Sequence, residues 1–151
     1  MTEVVRHVPT AEDMRSFGAA LGRAAVAGDR FLLEGPFGAG KTTFVQGLAR
    51  GLDVASPISS PTFVIETQYR GRLTLYHVDL YRLDRIEPDL LGDLEEHLFG
   101  EGVAAVEWAE RLPAELHDGA VLRFDVEPDD GRTVTLTSGE ERLAAAASAS
   151  A

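Results

Sequence analysis

Gly35-Pro36-Phe37-Gly38-Ala39-Gly40-Lys41-Thr42 satisfies the spacing G-x-x-x-x-G-K-[ST] in full. These residue types at this spacing suit one chemistry, the cradling of a polyphosphate. Gly38 and Gly40 bring backbone N–H groups against phosphate oxygens with no Cβ in the way. A helix that begins at the loop turns the positive end of its dipole toward the same anion. Thr42 offers a hydroxyl to Mg²⁺, and Thr43 reaches the α-phosphate side. Lys41 must reach the β- and γ-phosphates inside a ring of N–H groups. It is the only lysine of the chain, because 13 of its 14 basic residues are arginine. A compact ammonium on a flexible stem enters such a ring, whereas a guanidinium is a broad planar fork.

Hydrolysis of a bound nucleotide needs a place for Mg²⁺ and a way to orient water. Two acids are placed for this work. Asp79 ends the apolar run LTLYHVD and Glu107 ends VAAVE, so both are expected at the carboxyl edge of a sheet, where ligands bind in α/β folds. Residue types alone do not divide metal binding from water positioning between them. Thr62, in SSPTF, is a third candidate, as a switch-type threonine sensing the γ-phosphate or its metal, or as a plain Pro-Thr turn. Trp108 follows Glu107 directly, so strand alternation points it to the opposite face, into core or interface. His77 shares a face with Asp79 and reads first as a packed histidine. Arg82 either approaches phosphate or pairs with an acidic helix.

These residues need a frame. Val4, Val5 and Val8 mark a first strand. Thr10 caps a helix through AEDMRSFGAALGRAAVAG, with Asp13 at the capping-box position and Gly28 as its stop. RFLLE (30–34) is a short apolar strand entering the loop, and TTFVQGLARGL is the helix leaving it. ASPISSPTF is a loop. VIETQY and LTLYHVDL are two strands joined at Arg70-Gly71-Arg72. EPDLLGDLEEHLF is an acidic helix with Leu90, Leu91, Leu94 and Leu98 inward, and VAAVEW is a buried strand. VLRFDVEP and RTVTLTS pair across Asp129-Asp130-Gly131. The order β-α-β-α-β-β-α-β-β-β predicts a single P-loop NTPase-like α/β domain, a mixed β-sheet flanked by helices, over residues 1–140. Residues 141–151, LAAAASASA at their end, read as a low-complexity, disordered C-terminal tail.

The 151 residues suit one domain, and 44% hydrophobic content supports a real core. The absence of cysteine excludes disulfides and thiolate metal sites. MTEVVRHVPTAEDM lacks the apolar run of a signal peptide, and no stretch approaches the ~18 apolar residues of a membrane span. A cytoplasmic location fits. The net charge of -11 argues against a self-sufficient nucleic-acid binder. Between Asp79 and Asp118 stand 12 acids and 3 arginines, either a solvated face or a docking face for a basic partner.

GPFGAGKTTF, SSPTF, LYHVDLYRL and VEWAE, in this order and spacing, resemble the TsaE (YjeE) family over about residues 4–137. The resemblance implies an ATPase that binds ATP with Mg²⁺, hydrolyses it slowly alone, and is required for threonylcarbamoyladenosine in tRNA. It implies action on the TsaB–TsaD complex, which hydrolysis resets between turnovers, with tRNA touched only indirectly. It carries nucleotide binding onto Gly35 to Thr42, metal binding onto Thr42, Glu107 and Asp79, with Glu107 closest to the metal, and the switch role onto Thr62. It places Arg132 near the nucleotide and links Trp108 to the working assembly. Two departures stand out. Pro36-Phe37 replaces the family's frequent Asp-Leu, with side chains expected to point away from phosphate. Ala109 replaces a proline, which would loosen the segment after the strand. A family contact at the start of the first helix falls on Ala11, which offers only backbone.

Two other functions remain compatible with the loop. A small-molecule kinase needs an acceptor pocket and a basic lid, and the one arginine-rich segment, YRGR, reads as a turn. A nucleotide-gated binding module would not need Asp79, Glu107 and Thr62.

Overall fold

The computed structural model describes residues 1–58, 66–81, 83, 87–98 and 100–149. In chain order these form β1 (Thr2–Val8), α1 (Ala11–Ala24), β2 (Arg30–Glu34), α2 (Lys41–Gly51), β3 (Glu66–Tyr69), β4 (Leu75–Asp79), α3 (Pro88–Leu98), β5 (Val103–Glu107), β6 (Ala120–Val126), β7 (Arg132–Ser138) and α4 (Glu141–Ala149). Two short 3₁₀ turns, Ala109–Arg111 and Ala114–Leu116, link β5 to β6.

Among the described residues the strands make one seven-stranded sheet in the order β1-β7-β6-β2-β5-β4-β3. β2 runs parallel to β5 and β6, and β4 parallel to β5. The pairs β1–β7, β6–β7 and β3–β4 are antiparallel. β2 is central and buried on both faces, which is why its middle residues, Phe31, Leu32 and Leu33, are continuously apolar rather than alternating. Phe31 and Leu33 enter a core shared with Met14, Phe17, Phe44, Leu48 and Leu143, so α1, α2 and α4 cover that face. Leu32 enters the other core with Val78, Leu94, Leu98, Val106 and Leu116, under α3 and the 3₁₀ turns. The inward set expected for α3 is therefore correct in kind, with Leu94 and Leu98 fully buried and Leu90 and Leu91 packed at its margin.

The sequence signals for α1 hold at its start. Thr10 is its N-cap, accepting from Asp13 N at 3.1 Å and donating to Asp13 Oδ2 at 2.7 Å. The helix ends at Ala24, four residues before Gly28, which instead takes a φ of +93° in the turn before β2. α1 lies against α2 so closely that a Cβ at Gly47 would overlap the Arg15 backbone, and one at Gly18 would overlap the Phe44 carbonyl. Gly47→Ala should therefore lower unfolding stability by about 1–3 kcal/mol in a urea melt. Gly92→Ala on exposed α3, where a Cβ meets nothing within 4 Å, should be neutral or slightly stabilising in the same assay.

The C-terminus corrects the composition-based expectation. Residues 141–151 were expected to be a disordered tail, yet Glu141–Ala149 form α4, with Leu143, Ala144 and Ala147 buried. Alanine is the strongest helix former, and its small side chain allows close packing. Arg142 pins the helix to Asp29 with bonds of 2.6 and 2.5 Å and donates to Ala24 O at 3.1 Å. The Asp29 carboxylate also raises the pKa of this guanidinium.

Candidate functional site

Parallel pairing brings the carboxyl ends of three strands to one edge. Asp79 stands opposite Glu107 in the β4–β5 register, and Leu33 stands opposite Glu107 in the β2–β5 register. The chain leaves β2 at Glu34 directly into Gly35, so the loop expected from the sequence lies beside both acids. Gly38 and Gly40 adopt φ values of +79° and +102°, a left-handed backbone that glycine takes without strain. Gly40 is the N-cap of α2 and contributes no side chain, and no acid occupies the first turn of the helix. The first N–H groups of α2 therefore turn toward the loop uncapped, the arrangement that suits an anion. Ala39 is buried within the loop, whereas Phe37 at its tip is 78% exposed, with Pro36 beside it, so both side chains point away from the loop interior as expected.

Lys41 is buried, and its Nζ donates to Gly35 O at 2.5 Å. Burial pushes its pKa below the usual lysine value, opposed by the charges of Glu110, Glu107 and Asp79. The Nζ also lies 3.6 Å from the centroid of the Trp108 ring. This corrects the expected placement of Trp108. Strand alternation ends at Glu107, and Trp108 takes a left-handed φ of +59° at the head of the first 3₁₀ turn. Its ring packs against the second core and still reaches the lysine. Tyr81 meets Trp108 with ring centroids 5.0 Å apart and Phe37 meets Tyr81 at 5.6 Å, both pairs tilted, extending the aromatic surface to the loop tip. Arg111 fixes the backbone after β4 by donating to Tyr81 O and Leu83 O, each at 2.6 Å. The 3₁₀ turn closes through Arg111 N to Trp108 O and Leu112 N to Ala109 O, both at 3.0 Å, without the family's proline.

Glu107 is buried and sits at the centre of the polar contacts. Thr42 Oγ1 lies 3.0 Å from each of its carboxylate oxygens. His77 Nε2 lies 2.5 Å from Oε2, with the ring fully buried. The Nδ1 of that ring has no hydrogen-bond partner among the described residues. Asp79 is half-buried at the same edge and accepts from Tyr81 N at 2.9 Å. Thr42, Glu107 and Asp79 form a hard oxygen donor set, which fits Mg²⁺. Among the described residues no cluster of three or more acidic, histidine or cysteine side chains forms a cage of its own. That is consistent with a metal that takes its remaining ligands from phosphate and water.

A cleft of ≈ 350 Å³ opens on the other side of the loop. Pro9, Thr10, Ala11 and Met14 form one wall, Gly38, Gly40 and Thr43 another, and Asp130 and Arg132 of the β6–β7 hairpin a third. Arg132 donates to Gly38 O at 3.1 Å, tying the hairpin to the loop. Thr43 and Arg132 thus line the same cleft beside the loop. Pro9, Thr10, Met14 and Asp130 line it without having been picked out for the site, and Ala11, where the resemblance set a family contact, lines it with them, because only tertiary packing brings the start of α1 beside the loop. His77 had a legible signal, two residues before Asp79 on one strand face. Thr62 and Arg82 lie outside the described residues.

A G-x-x-x-x-G-K-T loop between a central parallel strand and a helix, at the carboxyl edge of a mixed sheet, places the chain among α/β domains built around a phosphate-type loop. Within that class, the family model described as "Threonylcarbamoyl adenosine biosynthesis protein TsaE" matches residues 8–134, and the chain belongs to the TsaE family. The "tRNA threonylcarbamoyladenosine biosynthesis protein TsaE" of Treponema pallidum is 41% identical over 128 residues, covering 84% of this chain and 95% of that one. The protein of the same description from Bacillus subtilis is 40% identical over 132 residues, covering 84% and 80%. The crystal structure of Bacillus subtilis YdiB superposes with a TM-score of 0.74 at 32% identity, covering 97% of this chain and 93% of that one. Among the described residues no helix is long and apolar enough to cross a membrane.

Proposed function

We propose that the chain is a Mg²⁺-dependent ATPase that serves threonylcarbamoyladenosine modification of tRNA by acting on a TsaB–TsaD complex between turnovers. The observation that carries this reading is the Thr42–Glu107 pair, 3.0 Å apart at the root of the phosphate-type loop, with Lys41 beside it. Family membership supplies the pathway.

In this reading, the backbone N–H groups from Phe37 to Thr43, at the start of α2, hold the phosphates of ATP as substrate. The cleft between Pro9, Met14 and Arg132 receives the nucleoside, and its volume lies within the ordinary range for such ligands. Lys41 Nζ exchanges Gly35 O and the Trp108 ring for β- and γ-phosphate oxygens and stabilises the charge that develops there. Thr42 and Glu107 would hold Mg²⁺, which would supply charge neutralisation to the polyphosphate. Asp79, across from Glu107, completes the oxygen set or orients the attacking water, and Thr62 senses the γ-phosphate. Lys41 parked against Trp108 agrees with slow turnover by the chain alone. The net charge of -11 agrees with tRNA being reached only through the partners.

The test is threonylcarbamoyladenosine formation on tRNA by TsaB–TsaD supplied with an activated threonylcarbamoyl donor, over several turnovers with ATP. Adding this chain should raise product well beyond one equivalent of TsaD. Product limited to the same level with and without the chain would overturn the proposal.

A further inference from the structure

We propose that His77 is a positioning residue for the Glu107 carboxylate, setting which of its oxygens is offered to Mg²⁺. This inference rests on the Mg²⁺-dependent reading of the site and extends it to a residue outside the loop and its acids.

Three observations carry it. The His77 side chain is fully buried on β4, and its Nε2 lies 2.5 Å from Glu107 Oε2. Its Nδ1 has no hydrogen-bond partner among the described residues, so this one contact orients the ring. The oxygens of Glu107 are held unequally as a result. Oε2 lies within hydrogen-bond distance of both His77 and the Thr42 hydroxyl, which is divided between the two oxygens, while among the described residues Oε1 has only Thr42 within reach.

The chemistry fixes the direction of the bond. An ionised carboxylate only accepts, so Nε2 carries the proton and donates it. Nδ1 is then an unprotonated acceptor. A proton on Nδ1 would be a buried donor with nothing to receive it, which is costly. The tautomer that donates from Nε2 is therefore the one the contacts favour. A donor fixed on Oε2 restrains rotation of the carboxylate and leaves Oε1 as the less committed oxygen. Outer partners of this kind orient metal-binding groups, and their loss typically changes metal affinity by about 10–100-fold. β4 supplies the rigid support: His77 pairs with Ala105 in the β4–β5 register, two positions before Asp79 meets Glu107.

The substitutions His77→Gln and His77→Leu test the proposal. Glutamine carries an amide N–H at nearly the reach of Nε2, whereas leucine fills the space without a donor. ATP affinity is read by displacement of a fluorescent ATP analogue, first without metal and then across a Mg²⁺ titration. All three proteins should bind metal-free ATP alike. His77→Leu should need about tenfold more Mg²⁺ for half of the metal-dependent gain in affinity. His77→Gln should stay within about threefold of the parent protein, the rescue a purely structural role would not predict. Nitrogen NMR of the metal-free protein should show a ring protonated at Nε2 whose signal His77→Gln removes. An unchanged Mg²⁺ requirement in His77→Leu, or a neutral ring protonated at Nδ1, would overturn the inference alone. A parent protein whose ATP affinity ignores Mg²⁺ would overturn the reading beneath it as well.

Discussion

Lys41→Ala is expected to weaken ATP binding by at least about 100-fold, the cost of losing charge-assisted bonds of roughly 3 kcal/mol to phosphate oxygens. The ammonium is buried, its pKa is lowered by desolvation, and it contacts Gly35 O and the face of Trp108. Removing it deletes a cation at the base of the loop while leaving the glycine backbone and the N-terminus of α2 in place. The folded state should survive, because the lost side chain fills no part of the apolar core. Lys41→Arg should fail nearly as badly, in a chain that uses arginine at all its other basic positions. A guanidinium stacks well on indole and carries a wider fork, so it should stay on Trp108 rather than enter the ring of N–H groups. Equilibrium titration with a fluorescent ATP analogue, beside a thermal melt, checks both variants. Affinity within about threefold of the parent would remove Lys41 from the phosphate site.

Glu107→Gln is expected to reduce ATP hydrolysis by about 100-fold or more while leaving metal-free nucleotide binding nearly unchanged. The amide is isosteric, so Thr42 and His77 keep a neighbour of the same shape, and the buried position between α2 and β4 remains filled. What disappears is the negative charge facing Mg²⁺. Asp79→Asn should have a smaller effect on the Mg²⁺ requirement, because Asp79 is half-buried and Thr42 is bound to Glu107 instead. Phosphate release measured across a Mg²⁺ titration separates the two acids. Full activity in Glu107→Gln with a raised Mg²⁺ requirement in Asp79→Asn would transfer the metal role to Asp79.

Local patterns foretold much of this site. The loop, the strand entering it and the helix leaving it are contiguous, so spacing and apolar periodicity were enough to find them. Asp79 and Glu107 were legible because each ends an apolar run, and parallel pairing then sets them opposite one another. Thr10 announced the start of α1 through its bond to Asp13.

Three features were not legible, each for a physical reason. Trp108 escaped the period-two rule because its left-handed backbone breaks the strand at Glu107 and turns the ring under Lys41. α4 was hidden by composition: an alanine run lacks the large apolar stripe that marks a helix. Its stability comes from Leu143, close packing, and an Arg142–Asp29 bond that spans most of the chain. The cleft wall of Pro9, Ala11, Met14, Asp130 and Arg132, of which the resemblance pointed only to Ala11 and Arg132, draws on opposite ends of the sequence. The antiparallel pairing of β1 with β7, Val8 opposite Arg132, brings those ends together.

The most direct test of ATP hydrolysis controlled by a partner complex is phosphate release from ATP by the purified chain, with and without TsaB–TsaD. The expected result is slow, Mg²⁺-dependent release by the chain alone and at least a tenfold acceleration by the complex, lost in Glu107→Gln. Release unchanged by TsaB–TsaD, accompanied by transfer of the γ-phosphate to a small acceptor, would contradict the account.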